Sequence, residues 1–311
     1  MSYYITREVK LGEGENLSIS NLDLNFNYLR VCEPSLEEVQ SAEFILAGTR
    51  DKKRVAVLQE EAEVRMEFDL VGLKPLYWAL GNVNDTVPVT ITPASTLPWL
   101  TVARELEPVR SGESDILRIF GCKVESLELT FERGEVATGE ITLMAKGGTI
   151  ETGDLTVTVD YSYDPVYYSD IEVVVKKGGS ATTISDLGRI VLTIDNNLSR
   201  RLSASQAAGY QAYHILEGGL DITGRMLVTD PALTFLQKVK ARAGGNTVEI
   251  RINKSHGGVL SGTITMPNVW FTEYPERLRG IEPYEVEIPY VALPSQTENA
   301  IEIVCNTLTP F

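Results

Sequence analysis

Two histidines, His214 and His256, and three cysteines, Cys32, Cys122 and Cys305, are the side chains of this chain best suited to acid–base, nucleophilic or metal chemistry. None stands in a spacing that such chemistry uses. Ser255 adjoins His256 in "SHGG", but neighbours on a strand point to opposite faces and cannot meet as nucleophile and base. The two glycines make that segment a turn. "GEGEN" (12–16) lacks the third glycine of a dinucleotide loop and precedes no long helix, so it reads as a hairpin turn. "QEEAE" (59–63) has neither the spacing nor the glycine of a calcium loop and reads as a solvated strand entry. "NLS" (16–18, 197–199) and "NDT" (84–86) match glycosylation sequons by chance. The cysteines lie far apart with no CxxC spacing, which argues against a metal site and for buried thiols in a reducing compartment. No catalytic, metal-ligating or cofactor-binding residue is assigned, and the chain is expected not to be an enzyme.

The bulk numbers agree. Forty-three acidic against 28 basic residues leave a formal charge of −15, whereas tight nucleic-acid binding relies on cations that displace counterions from phosphates. An acidic surface still lets nucleic acid slide past without sticking; plain solubility is the simpler reading of the same charge. "MSYYITREVK" has no apolar core of a signal peptide, and no apolar run approaches a membrane span. Folding in the cytosol of the producing cell, without a membrane, is expected.

Most segments read as strands. Val64, Met66, Phe68 and Leu70 alternate with Arg65, Glu67 and Asp69, as on a half-buried strand with one wet face. Further along, Ile222, Met226 and Val228 alternate with Asp221, Thr223 and Arg225. In 122–132 the phase slips between Val124 and Leu127, which predicts a bulge near Ser126. "KPLYWALG" predicts a helix with Pro75 in its first turn, and "DPALTFLQKV" one capped by Asp230 with Pro231 following. Ser35 with Glu38 and Ser203 with Gln206 fit the capping-box spacing, so short helices are expected there too.

These patterns occur twice. Matching Ala145 with Val291 lays "GEITLMA" (139–145) on "EVEIPYV" (285–291) and "LTVTVD" (155–160) on "IEIVCN" (301–306). Upstream, Pro75 meets Pro231, and "LDLNFNYL" (22–29) resembles "IVLTIDNN" (190–197). A duplicated module follows, in two domains of ordinary size: 1–163 and 164–311. The first copy is the longer. Part of its surplus falls in 84–115, which is rich in Pro, Thr and Ser and reads as a long loop; loops of that length in compact domains are usually functional or disordered. Leu97, Trp99 and Leu100 at its middle fit docking, either on a partner or on their own module.

The line "GCKVESLELTFERGEVATGEITLMAKG" (121–147) resembles the signature hairpin of phage tail tube proteins. "IVLTIDNNLSRRL" (190–202) followed by "GGLDITGRMLVTD" (218–230) is similar to a second stretch that the family shares. The second copy of the hairpin, "MPNVWFTEYPERLRGIEPYEVEIPYVA", departs by its prolines. The resemblance implies a mainly β protein of two tandem β-sandwich or barrel-like tube modules, each with a flanking α-helix. It implies self-association into rings that stack as a virion tail tube, assembled in the host cytoplasm. The implied partners are further copies of the chain, the tape measure, tail terminator and baseplate or distal tail proteins, and double-stranded DNA in transit without specific binding. Two fused modules suggest three chains in a pseudo-sixfold ring. On this reading Glu63, Arg65, Glu67 and Asp69, with Asp221, Thr223 and Arg225, line the lumen, and Leu97, Trp99 and Leu100 contact the next ring. A carbohydrate-binding or adhesin β-sandwich is the competing class, with the tyrosines of "YSYDPVYYSD" (161–170) as a stacking platform or as linker packing.

Overall fold

The computed structural model describes residues 9–24, 28–43, 54–84, 86–106, 114–153, 155, 163–202, 212–229, 245–256, 260–272 and 285–306. In the first half, β1 (Val9–Glu13), β2 (Leu29–Glu43) and β3 (Arg54–Asp69) precede α1 (Lys74–Leu80). Then come β4 (Gly81–Asn84), β5 (Val89–Pro93), β6 (Leu100–Glu105), β7 (Ser114–Glu132), β8 (Thr138–Ala145) and β9 (Gly147–Gly153). The second half runs β10 (Ile171–Lys177), β11 (Ser180–Thr183), β12 (Leu187–Asp195), β13 (Ser199–Leu202) and β14 (Ala212–Leu216). It finishes with β15 (Asp221–Thr229), β16 (Asn246–Lys254), β17 (Leu260–Phe271), β18 (Glu285–Ala292) and β19 (Glu302–Cys305).

All named strand pairs are antiparallel. The long strand β7 belongs to two layers. Its first part lies between β6 and β9, its second between β8 and β12. The change falls at Gly121, whose φ of +61° an L side chain rarely adopts, and a strand that switches layers in this way makes the corner of a sandwich. The predicted bulge is present, as a register shift between Val124 and Ser126 against β8. It inverts the faces, so Cys122 and Val124 and then Leu127, Leu129 and Phe131 are all buried.

Between the layers sit Val64, Met66, Phe68, Leu127, Leu129 and Ile141 from one side and Leu11, Val102 and Ile119 from the other. Each such side chain contributes about 1.5–3 kcal/mol on burial. Helix α1 plugs an open end with Leu76, Trp78 and Leu80, and Trp78 Nε1 donates to Glu13 at 2.9 Å. Pro75 in its first turn matches the sequence reading. Gly81 ends it at φ +92°, where a Cβ would meet the Thr96 carbonyl at 2.6 Å.

Strand order and register recur along the chain. The ladder β1–β6–β7–β9 is answered by β10–β16–β17–β19, and β2–β3–β8–β7 by β12–β15–β18–β17. Met66 lies between Cys32 and Ile141 as Met226 lies between Ile190 and Ile288. Bulges recur as well, at Leu29/Val31 and Leu187/Arg189, and at Leu100/Val102 and Asn246/Val248.

This register corrects the sequence matching. Ala145 corresponds to Ala292 and not to Val291, because buried Ile141 and Leu143 then meet buried Ile288 and Tyr290. The one-residue error would have set Ile141 on exposed Glu287, the inversion that a period of two imposes. Likewise β2, not 22–29, takes the place of β12, and β9 takes that of β19, while the matched stretch 156–160 lies outside the described residues.

Two further expectations change. Ser35 caps no helix; it lies in β2 opposite Glu63, where cross-strand pairing overrides a weak capping pattern. The stretch 84–115 is not a loop, since it contains β5 and β6, and β5 adds an edge strand to β19 through Ile91↔Ile303. The expected helices after Ser203 and at 230–239 lie outside the described residues.

Candidate functional site

One polar surface runs unbroken across both halves. The ladder β2–β3–β8–β7–β12–β15–β18–β17 carries residues of one parity on a single face. Along one line across it stand Glu33, Arg65, Thr142, Ser126, Asp195, Asp221 and, close by, Thr223 and Val291. Glu63, Arg65, Asp221, Thr223 and Arg225 are exposed and Glu67 half-buried, while Val64, Met66, Phe68, Ile222, Met226 and Val228 point into the core. Asp69 departs from its expected place in this exposed set: it is only 1 % exposed and pairs with Arg30 at 2.5 Å. It ends the strand where α1 and the linker close over the sheet.

Acid dominates this face. Glu33, Glu37, Glu63, Glu67, Glu128, Glu132, Glu140, Asp195, Asp221, Glu285 and Glu287 share it with Arg65, Arg189 and Arg225. Arg65 donates to Glu140 at 2.7 and 3.0 Å and to Glu67 at 2.9 Å. Those hydrogen bonds and the nearby carboxylates hold its guanidinium charged, its pKa shifted further up. Arg225 and Arg189 approach Glu287 at 3.5 and 3.9 Å. Glu125, beside the face, has its pKa raised by burial first and by Glu63 second.

The two halves meet along a seam of backbone hydrogen bonds. β7 pairs with β12 from Arg189↔Glu132 to Asp195↔Ser126. At its end Asn196 Nδ2 donates to the carbonyls of Ala79 (3.0 Å) and Val124 (2.9 Å). The linker is stitched in too: Val166 N–H donates to Leu70 at 2.7 Å, and Ala137 N–H to Val166 at 2.8 Å. Arg200, on the β13–β14 hairpin, donates to the Ala62 carbonyl at 2.7 Å.

A match to the family model for phage tail tube proteins covers residues 35–284. This chain belongs to the phage tail tube protein family. A comparison with curated proteins finds no match. The tube protein is therefore a structural component of the virion tail.

In this tail tube protein, the residues expected to touch a next ring are used within the chain. Leu97 and Leu100 are buried, and Trp99 is half-buried. Trp99 lies under two ammonium groups, with Lys123 Nζ at 4.0 Å and Lys146 Nζ at 4.6 Å from its ring centroid, a cation–π arrangement. Lys123 is itself 1 % exposed and paired with Glu217 of the second half. Leu97, Met144, Leu198 and Ile215 pack beside them. Of the two docking options that the sequence left open, packing on the chain's own seam is the one seen within the chain, with Trp99 still half-buried.

Of the reactive side chains, His214 lies 5.9 Å from Trp99 between ring centroids and His256 lies 3.6 Å from Asp170. All three thiols are buried; burial pushes the Cys32 pKa up to about 12 and that of Cys122 higher still. Among the described residues, no three His, Cys, Asp or Glu side chains converge as a metal site, and no helix is long and apolar enough to cross a membrane. Tyr168 hydrogen-bonds the Leu187 carbonyl and so serves linker packing; among the described residues of that segment, Tyr167 is the exposed ring.

Sequence reasoning missed the seam residues Asn196, Arg200 and Glu217. The Asn-Asn at 196–197 was a usable signal, because Asn197 takes the left-handed conformation (φ 46°) that turns the chain out of β12.

Proposed function

We propose that the tube protein is two tandem modules, about 1–163 and 164–311, and that three chains close a pseudo-sixfold ring. Stacked rings then form the conduit for viral DNA. One observation carries this reading: β7 of the first half passes its sheet to β12 of the second, while β2, the counterpart of β12, pairs only with β3 among the described residues. An open sheet edge must be covered or paired. Repeating the in-chain seam between chains pairs β2 with β17 of a neighbour and leaves that ladder without an open edge, as in a closed barrel.

The polar face then lines the lumen, with Glu63, Arg65, Glu67, Asp221, Thr223 and Arg225 on its wall and the buried Asp69 behind it. Excess carboxylate there repels phosphate, so DNA passes without binding. Stacking engages the β2–β3 hairpin, which extends to Glu43↔Arg54, well past the last β3–β8 pair at Ala62↔Ala145. A head-to-tail contact that does not close gives a filament. Tail tape measure, terminator and distal proteins would meet the tube at its ends, after assembly in the host cytoplasm.

Electron microscopy and native mass measurement of the purified chain test the proposal. Tubes built of three-chain rings are expected. A ring of six chains, or a protein that remains monomeric under all assembly conditions, overturns it. Changing Glu63 and Glu67 to Lys should slow DNA ejection at low salt and leave assembly intact; unchanged ejection removes the electrostatic part.

A further inference from the structure

Two exposed apolar side chains of the second half occupy positions that the first half keeps covered. Trp270 and Leu293 are 41 % and 43 % exposed. Trp270 is the register counterpart of Lys123, since Lys123 faces Met144 as Trp270 faces Val291. Leu293 is the counterpart of Lys146. Each follows the buried alanine that ends its strand, Ala292 or Ala145, and each N–H donates to an equivalent carbonyl, Asn268 at 2.9 Å or Gly121 at 3.2 Å. The place of Trp99 goes to exposed Gly245, where a Cβ would meet nothing within 4 Å.

In the first half this site lies under the β13–β14 hairpin. Glu217 pairs with Lys123, and Leu198 and Ile215 pack with Met144. Arg200 donates to the carbonyls of Ala62 and Ala145, and the Ala212 N–H donates to that of Lys146 at 3.1 Å.

That hairpin has a counterpart of its own. With Cys32↔Met66 laid on Ile190↔Met226, Ser41↔Ala56 falls on Ser199↔Leu216 and Ala42↔Val55 on Arg200↔Ile215. The bulge between Val39 and Gln40 falls on Asn197 and Leu198, where the second half turns out of its ladder. The far end of the β2–β3 hairpin is therefore the first half's version of β13–β14. In it Val57 holds the position of Glu217.

We infer that the far end of the β2–β3 hairpin lies over Trp270 and Leu293 of a second copy of this chain, as β13–β14 lies over Lys123 and Lys146 within the chain. The inference rests on the ring reading. β12 leads its hairpin onto the half with which it pairs, across β7. By the same rule β2 leads its hairpin onto the half that pairs with β2, the second half of the neighbour. The residue exchange supports this occupant. Where the in-chain contact joins a lysine to a glutamate, the equivalent positions between chains hold a tryptophan and a valine. An exposed apolar patch marks an interaction site, and a covered aromatic residue is the usual anchor of one. The contact lies within a ring, which separates it from the stacking role of the same hairpin.

Hydroxyl-radical footprinting of the full chain reads the patch directly. Oxidation of Trp270 should fall severalfold between the monomer and the isolated ring. Protection that appears only when rings stack into tubes, or none at all, overturns the contact and leaves the ring reading intact. Trp270→Lys and Val57→Glu, each checked for folding by circular dichroism, should raise the dissociation constant of the ring about tenfold or more in native mass measurement. The double variant, which restores a lysine–glutamate pair, should recover most of that loss. Folded single variants with rings of unchanged affinity, or a double variant no better than either single one, likewise overturn the contact alone. A full chain that forms no ring overturns both.

Discussion

Arg65 holds Glu140 with two hydrogen bonds across the β3–β8 ladder, and Arg225 stands in the same diagonal relation to Glu287 across β15–β18. The pairs sit two residues out of direct register on the acidic face, one in each half. Both arginines are solvent-exposed, and exposed ion pairs add little to stability because water already serves the charges. Their effect falls on the potential of the face. Replacing both by Ala should leave the melting temperature of the isolated chain within about 2 °C of the parent, as for other exposed pairs. A larger drop in a thermal scan would show that they hold the sheet together.

Asp69 behaves differently although it is on the same strand parity. Its carboxylate is buried against Arg30 at 2.5 Å, and removing one partner of such a pair leaves a charge without compensation. Asp69→Asn should destabilise the chain by about 2 kcal/mol, the buried-pair cost discounted for the partly exposed Arg30. A fall in the urea midpoint at unchanged slope would register it. An unchanged midpoint would return Asp69 to the wet face.

The seam should weaken in acid. Burial works to raise the Glu217 pKa, but hydrogen bonds from Lys123 and from the Leu97 N–H outweigh it, and the net shift is downward. The pair's contribution is thus complete above the unfolded carboxyl value, near 4.5, and is lost as pH falls through the lower folded value. Glu217→Gln should be less stable than the parent at pH 6, with the difference shrinking below about pH 4.5. Chemical denaturation at a series of pH values checks this; a gap that persists at pH 2–3 would assign the loss to packing.

Much of the fold was legible because local rules and tertiary pairing agree there. Val64, Met66 and Phe68 alternate cleanly, the phase slip announced the bulge at Ser126, and Pro75 marked the helix start. Where the two disagree, the sequence misled. Ser35 with Glu38 spells a cap, yet β3 supplies a long partner and the segment becomes β2. Residues 84–115 look like a loop because β5 and β6 are short and set among prolines, and β5 gains its strand partners from β4 and the distant edge of β19. Asp69 has the alternation of a lumen residue, but exposure at a strand end depends on what closes over it. The polar face was readable strand by strand. Its continuity through β7 and β12 was not, since no local pattern records which strands lie side by side.

The edge of β19 shows how the halves differ, and it yields the sharpest contrast in mutational cost. Ile91 on β5 faces Ile303 on β19, and both are wholly buried. Register on β7 and β17 makes Ile150 of β9 the counterpart of Ile303, yet Ile150 is 64 % exposed. No strand described here covers β9 on that side, because the β4–β5 hairpin is spent on the second half. Ile303→Asp places an unpaired charge in the core and should cost at least about 3 kcal/mol, enough to consume much of the stability of a domain. Ile150→Asp should lie within about 0.5 kcal/mol of the parent, as surface changes usually do. Urea denaturation of the two unassembled variants decides the matter. If Ile150→Asp proves as damaging as Ile303→Asp, β9 is covered within the chain; if it folds normally but fails to assemble, the exposed edge is in use between chains.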